Sequence, residues 1–160
     1  AANKIPIDSS YNASMFGVES GISPGMLLVE PIECEGVHEY PMTVFRDGTR
    51  KLRHAQLTAC SSEEMEHLLW QALEQRRNSF VILSHGFELL NKAKNRPDDV
   101  VIKRFHKLCE FLDRHRDSFR TCGFEGLTLT SITPQPQSLK SSFHRTGARM
   151  LTQLYRNRFG

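Results

Sequence analysis

A chain of 160 residues with 39% apolar and 24% charged residues is the size of one domain able to bury a core. Its longest apolar runs, at 26–29 and 80–83, are far too short to span a bilayer, and Asn3, Lys4 and Asp8 break up any leader-like opening. The formal charge of +3 is uneven: residues 1–126 hold 16 Lys and Arg against 18 Asp and Glu, whereas residues 127–160 hold five basic residues and no acid. That basic tail reads either as the solvated face of a terminal helix or as a site for an anionic partner.

The cysteines at 34, 60, 109 and 122 form no close pair that would suggest a zinc clip or redox motif. Their spacing fits a reducing compartment such as the cytoplasm, and Cys109 is expected on the apolar side of a helix, as part of the core.

Residues 5–11 read as a strand already under way where the chain begins, running into a polar turn at Asn12-Ala13-Ser14. A Gly/Ser/Pro loop at 17–25 leads to a second strand at 26–30, stopped by Pro31. Residues 33–39 are acidic and loop-like, and 40–45 read as a third strand, with Pro41 tolerated near its start or on an edge. Asp47-Gly48 is a turn signal, and a weaker fourth strand follows at 53–59.

The clearest helix opens at Ser61, which can cap it while Glu64 reaches back to the cap amide. Met65, Leu68, Leu69, Ala72 and Leu73 then recur at the helical period. After Arg76-Arg77-Asn78-Ser79, the run Phe80-Val81-Ile82-Leu83-Ser84 reads as a strand buried on both faces, so strand, helix and strand suggest a parallel crossover. A second helix starts at Pro97-Asp98-Asp99 and buries Val101, Phe105, Leu108 and Leu112. A short strand at 117–123 and a Pro-containing linker at 128–137 precede a last helix over about 141–156, burying Phe143, Met150, Leu151 and Leu154. The chain thus divides into a body at 1–126 and a linker with a basic helix at 127–160.

His85 follows the 80–84 strand and precedes Gly86. The carboxyl end of a parallel strand is where α/β folds bind substrate, and an imidazole there can exchange a proton near neutral pH. Glu88 could sit beside it, although carboxylates at a helix start are common. Trp70 lies off the main apolar face of its helix, fit either to stack on a sugar or to cover a neighbouring element. An acidic set at Glu30, Glu33, Glu35, His38 and Glu39 lacks calcium-loop spacing and reads as a solvated loop.

Taken together, Leu83-Ser84-His85, Ile7-Asp8-Ser9-Ser10-Tyr11 and Glu39-Tyr40-Pro41-Met42-Thr43-Val44-Phe45-Arg46-Asp47 resemble the carboxyl-terminal half of the polysaccharide deacetylases of the NodB-homology type, carbohydrate esterase family 4. The resemblance spans about residues 5–126 and rests on short motifs in the same order. It implies an α/β fold, a partial or distorted (β/α) barrel of mainly parallel strands with flanking helices. It also implies a metal-dependent hydrolase that removes N- or O-acetyl groups from a sugar polymer or glycan precursor, with zinc or another divalent metal as cofactor. In that scheme His85 is the general acid, Asp8 orients it, and Leu83 lines the acetyl pocket. Trp70 is the added candidate for sugar contact.

The family's paired-aspartate motif, its two-histidine metal motif and its arginine motif are all missing, so no metal ligand is assignable in this chain. Either the metal-binding half lies outside these residues, or the domain keeps the fold without the chemistry and serves as a non-catalytic carbohydrate-binding or interaction domain. A half barrel leaves open strand edges, which call for a second copy or an amino-terminal segment to cover them. No nucleic-acid partner is expected.

Overall fold

The computed structural model describes residues 5–15, 27–125, 127 and 137–159, the side chains of Asn157 and Phe159 excepted. The expected loop at 17–25, the start of the strand at 26–30 and nearly all of the linker at 128–137 fall outside the described residues.

Two small mixed sheets form. In the first, β1 (Ile7–Asp8) runs parallel to β3 (Val37–Glu39), and β3 pairs antiparallel with β2 (Ile32–Cys34). The hairpin between β2 and β3 turns at Glu35 (φ 50°) and Gly36 (φ 80°), the two left-handed positions of a primed turn, whose twist matches that of the strands. The acidic stretch read as a loop is therefore a hairpin. In the second sheet, β4 (Val44–Arg46) pairs antiparallel with β5 (Leu52–His54) and parallel with β6 (Leu139–Lys140). The turn from β4 to β5 is organised by Asp47, whose Oδ1 accepts from the Thr49 amide at 2.9 Å and hydroxyl at 2.6 Å and from the Lys51 amide at 3.2 Å.

The expected mainly parallel barrel is not what folds. Two mixed three-stranded sheets and three helices make a small α+β structure. Tight turns at 35–36 and 47–50 return the chain antiparallel, which a barrel of crossovers cannot accommodate. The segment 80–84, expected as a central strand, forms one parallel bridge, between Leu83 and Gln56. Its Val81 amide donates to the Thr43 hydroxyl at 2.7 Å, which diverts a ladder position to a side chain. The Leu83 amide donates to the Ala55 carbonyl at 2.9 Å, and the Leu83 carbonyl accepts from the Leu57 amide at 3.2 Å. The crossover direction is realised locally, since α1 (Ser62–Glu74) lies between these parallel segments. Residues 27–29 are irregular although Leu28 and Val29 are buried, and 117–123 form no strand.

α1 begins as the sequence indicates: Ser61 Oγ accepts from the Glu64 amide at 3.1 Å, and Met65, Leu68, Leu69 and Ala72 are buried, whereas Leu73, expected with them, is exposed. The Glu64 carboxylate has another use. It is wholly buried and faces α3 (Phe143–Phe159), with Oε2 3.1 Å from Arg149 Nε, while Oε1 accepts from the Ser141 hydroxyl at 2.6 Å. In α2 (Asp99–Arg114), Asp98 caps the amides of Val100 and Val101, and the buried residues are Val101, Arg104 and Phe111. Of the expected stripe, Val101 is buried and Leu108 and Leu112 pack partly buried against the main core. Arg104 turns inward and donates to the Thr58 carbonyl at 2.8 Å, while Phe105 and Cys109 face outward. Phe45, Cys60, Met65, Leu68, Leu69, Phe111 and Leu139 form the main core, and Tyr11, Leu28, Val29 and Val44 a second one.

α3 is docked by its polar side. Thr146 Oγ1 accepts from the Gly48 amide at 2.8 Å, Arg149 Nη2 donates to Asp47 Oδ2 at 3.1 Å, Gln153 reaches the Ala59 carbonyl at 3.4 Å, and Arg156 pairs with Asp98 at 2.5 Å. Arg149 is fully buried. The four residues expected inside are outside: Phe143 is 72% exposed, Met150 39%, Leu151 69% and Leu154 65%. Gly48 is required at the contact, because a Cβ there would lie 2.5 Å from the Phe143 Cα.

Burial pushes the Asp47 carboxyl up, but hydrogen bonds from Thr49, Arg53 and the Lys51 amide outweigh it and hold the group well below the usual carboxylate range. Asp98 is held low in the same sense by Arg156 and the cap amides, against burial. A depressed carboxyl adds stability above its unfolded value and loses it as pH falls through the folded one. Urea unfolding is therefore expected to show stability dropping below about pH 4, with a shallower drop in Asp47→Asn. Replacing Arg149 by Ala, which strands two buried carboxylates, is expected to cost about 3–5 kcal/mol. Leu151→Ala should stay within about 0.5 kcal/mol, and equal losses for the two would contradict this docking of α3.

Candidate functional site

The chain leaves the Leu83 bridge in extended form through His85 (φ −121°, ψ 142°) and enters a 3-10 turn, Gly86–Leu89. The Glu88 amide donates to the His85 carbonyl at 2.9 Å, and the His85 amide approaches Glu88 Oε2 at 3.4 Å. This turn folds the carboxylate back on the imidazole, leaving Nδ1 3.2 Å from Glu88 Oε1. The His85 side chain is 47% exposed and the Glu88 side chain 10%. Phe87 stacks beside the ring, with centroids 5.0 Å apart and planes 20° apart, and Lys94 Nζ stands 5.7 Å over the Phe87 ring.

A string of polar side chains backs this pair. Gln56 Nε2 donates to Glu88 Oε1, which leaves Gln56 Oε1 to accept from His54 Nε2 at 2.8 Å. His54 Nδ1 meets the Ser14 hydroxyl at 2.9 Å, and that hydroxyl lies 2.7 Å from Asn12 Oδ1. Five side chains from three parts of the chain thus support one outward imidazole. Their physical effect is to fix the Glu88 carboxylate, and through it the face His85 presents. An imidazole held at Nδ1 by a carboxylate keeps Nε2 available to give or take a proton.

The sequence-derived residues separate into two groups. His85 and Leu83 share the segment, Leu83 half-buried and held by its single bridge to Gln56. Asp8 and Trp70 have other partners. The Asp8 carboxylate accepts from the Ser9 amide and the Ser10 hydroxyl, both at 2.8 Å, and stands across the β1–β3 pair from Glu39. Burial and then the nearby Asp8 charge raise the Glu39 carboxyl, while the Tyr11 amide opposes them. Trp70 packs edge-on against Phe111, His115 and Phe119, with centroids 5.1–5.9 Å away for the two phenylalanines. Among the described residues, the carboxylate bonded to His85 is that of Glu88.

His54, Gln56 and Ser14 escaped sequence reasoning. The visible signal was the alternation His54-Ala55-Gln56, which puts two polar side chains on one strand face. Ser14 carried no such signal, because its approach depends on the fold.

The described residues hold no set of three His, Cys, Asp or Glu side chains able to hold a metal. The zinc implied by the family resemblance therefore finds no donor set among them. Burial and the Glu64 charge push the Cys60 thiol up to about 12, so it offers no thiolate near neutral pH. A cleft of about 580 Å³ runs beside Tyr40, Phe80, Ile82, Leu112 and Phe119, and its wall includes none of His85, Leu83, Asp8 or Trp70. Comparison with protein-family models, curated proteins and solved structures finds no match for this chain.

The pairing of His85 is testable by NMR of the imidazole nitrogens. Glu88→Gln is expected to shift the His85 ring resonances clearly. Asp8→Asn should leave them within experimental error. The reverse pattern would place Asp8, not Glu88, against the ring.

Proposed function

We propose that this chain is part of a carbohydrate deacylase, acting by hydrolysis on N- or O-acetyl groups of a sugar polymer or glycan precursor. The observation that carries the reading is the half-exposed His85 ring with Glu88 Oε1 3.2 Å from Nδ1. Cleavage of an acetyl group by water forms a carbon–oxygen bond to the carbonyl carbon and breaks the bond to the sugar nitrogen or oxygen. The departing atom then needs a proton. His85 Nε2 supplies it, and Glu88 is a positioning residue that steadies the ring as its charge changes. The acyl class comes from the order of the three sequence motifs, and the proton donor from the geometry.

No step is routed through a metal, because the donor set for one is not among the described residues. The groups that activate water and stabilise the oxyanion belong, in this reading, to residues outside this chain. An exposed dyad also needs another body to exclude water from it.

Sugar binding without chemistry is the second reading, favoured by Phe87, an aromatic ring 58% exposed beside His85. The two separate by substitution. With an N-acetylglucosamine oligomer as probe, the chain alone is expected to release no acetate above background, yet to show shifts at the His85 and Phe87 signals. Acetate release by the chain alone, or the absence of any shift at His85, would overturn the proposal. In a catalytically complete form, His85→Ala should lower kcat by about 10²–10⁴ with little change in KM. Unchanged turnover would leave only the binding reading.

A further inference from the structure

The hydrogen bonds around His54 dictate which of its ring nitrogens carry a hydrogen. On one side, the Glu88 carboxylate can only accept, so the Gln56 amide nitrogen faces Glu88 and the Gln56 oxygen faces His54. That oxygen is an acceptor as well. His54 Nε2, 2.8 Å from it, therefore carries a hydrogen. On the other side, Asn12 Oδ1 accepts from the Ser14 amide at 3.0 Å, and the Ser14 hydroxyl stands 2.7 Å from the same oxygen. A hydroxyl has one proton to give. Given to Asn12, it leaves Ser14 Oγ to accept from His54 Nδ1, 2.9 Å away.

All of these contacts are satisfied together when both ring nitrogens are protonated, that is, by the imidazolium. The neutral ring cannot satisfy them. With its one hydrogen held on Nε2 by Gln56, Nδ1 becomes an acceptor and competes with Asn12 Oδ1 for the single Ser14 proton. One of the two contacts then sets lone pair against lone pair and has to open. Few other charges stand around the ring among the described residues. The 3-10 turn Ala13–Met15 carries none, Val44 lies opposite on β4, and the neighbouring Arg53 is turned to Asp47 at 2.8 Å. The segment 80–84, bridged to Gln56 at Leu83, is uncharged, and beyond it Glu88 and His85 face the ring through Gln56.

We propose that His54 is a proton switch: as an imidazolium it keeps the Asn12–Ser14 turn closed, and as a neutral ring it takes the Ser14 hydroxyl proton and releases that hydroxyl from Asn12. The proton that leaves as pH rises comes from Nδ1, since Gln56 holds the one on Nε2. An imidazole changes charge between about pH 5 and 8, so the turn closes toward the acid end of that range and opens toward the other. The same proton reaches the candidate site, because one amide, that of Gln56, separates the ring from the carboxylate that holds His85. The switch stands on the donors and acceptors around His54 and holds whether or not His85 acts on a sugar.

The test is NMR of the full nitrogen-labelled chain, following the His54 ring nitrogens and the amides of Ser14 and Met15 from about pH 5 to 9. At the acid end both ring nitrogens are expected to carry a hydrogen. On raising the pH Nδ1 alone should lose it, and the Ser14 and Met15 amides should shift with the same midpoint. In His54→Gln these amides should hold one position across the range. In Ser14→Ala the ring should still titrate while the Met15 amide no longer follows it. Circular dichroism matching the wild type is the control for both variants, and the wild-type titration decides without any substitution. Three results would overturn the switch: an Nδ1 bare of hydrogen at the acid end, loss of the hydrogen from Nε2 in place of Nδ1, or wild-type amide shifts at Ser14 in folded His54→Gln.

Discussion

One guanidinium holds the parts of this molecule in register. Arg149 is fully buried between Asp47, at the turn of the β4–β5 hairpin, and Glu64, in the first turn of α1. Taking a charge out of water costs several kcal/mol unless it is paired and hydrogen-bonded. Here the compensation is shared: Asp47 also takes Arg53 at 2.8 Å, and Glu64 also takes the Ser141 hydroxyl. The Ser141 amide in turn donates to the Arg46 carbonyl at 2.8 Å, which continues the pairing of β6 along β4. Hairpin, first helix and tail thus meet at one charge cluster, and Leu139 enters the main core beside it.

That cluster decides what α3 shows to the outside. A buried ion network is selective about geometry in a way that an apolar contact is not, because each donor has a fixed direction. With Arg149 committed inward, Thr146, Gln153 and Arg156 follow at helical spacing, and the apolar residues are turned out. The stripe owes its exposure to the stronger demand of the arginine. A helix held only by apolar packing would have rolled to bury it.

The same hairpin supports the candidate site at a distance. Thr43 and Ala55, which flank β4 and β5, hold Val81 and Leu83, and so set where the chain emerges toward His85. His54, at the end of β5, reaches Glu88 through Gln56. The imidazole is therefore positioned twice, by its backbone through Leu83 and by its ring through Glu88. Such double support is what a proton-transferring group needs to keep a constant orientation, and it distinguishes His85 from a loop histidine free to rotate.

Local signals in the sequence were legible where the physics is local. The Ser61 cap, the start of α2 at Pro97-Asp98-Asp99, the Asp47 turn and most of the inner face of α1 each depend on neighbours within one helical turn or one hairpin. The hairpin at 35–36 was missed because a left-handed glutamate stands where glycine or asparagine is the usual signal. The inner face of α3 was misread, and that of α2 at Phe105 and Cys109, because hydrophobic periodicity assumes that charge faces water, and Arg104 and Arg149 have buried acceptors far along the chain. The mixed sheets were equally out of reach of local patterns: the pairing of β6 with β4 joins residues some 90 positions apart. By itself the sequence determined the three helices, the Ser61 cap and the tight turn at Asp47. Only the tertiary structure decided that Asp8 stays away from the His85 imidazole and which side of α3 is inside. The second choice rests on directional bonds between distant side chains, which no local pattern encodes.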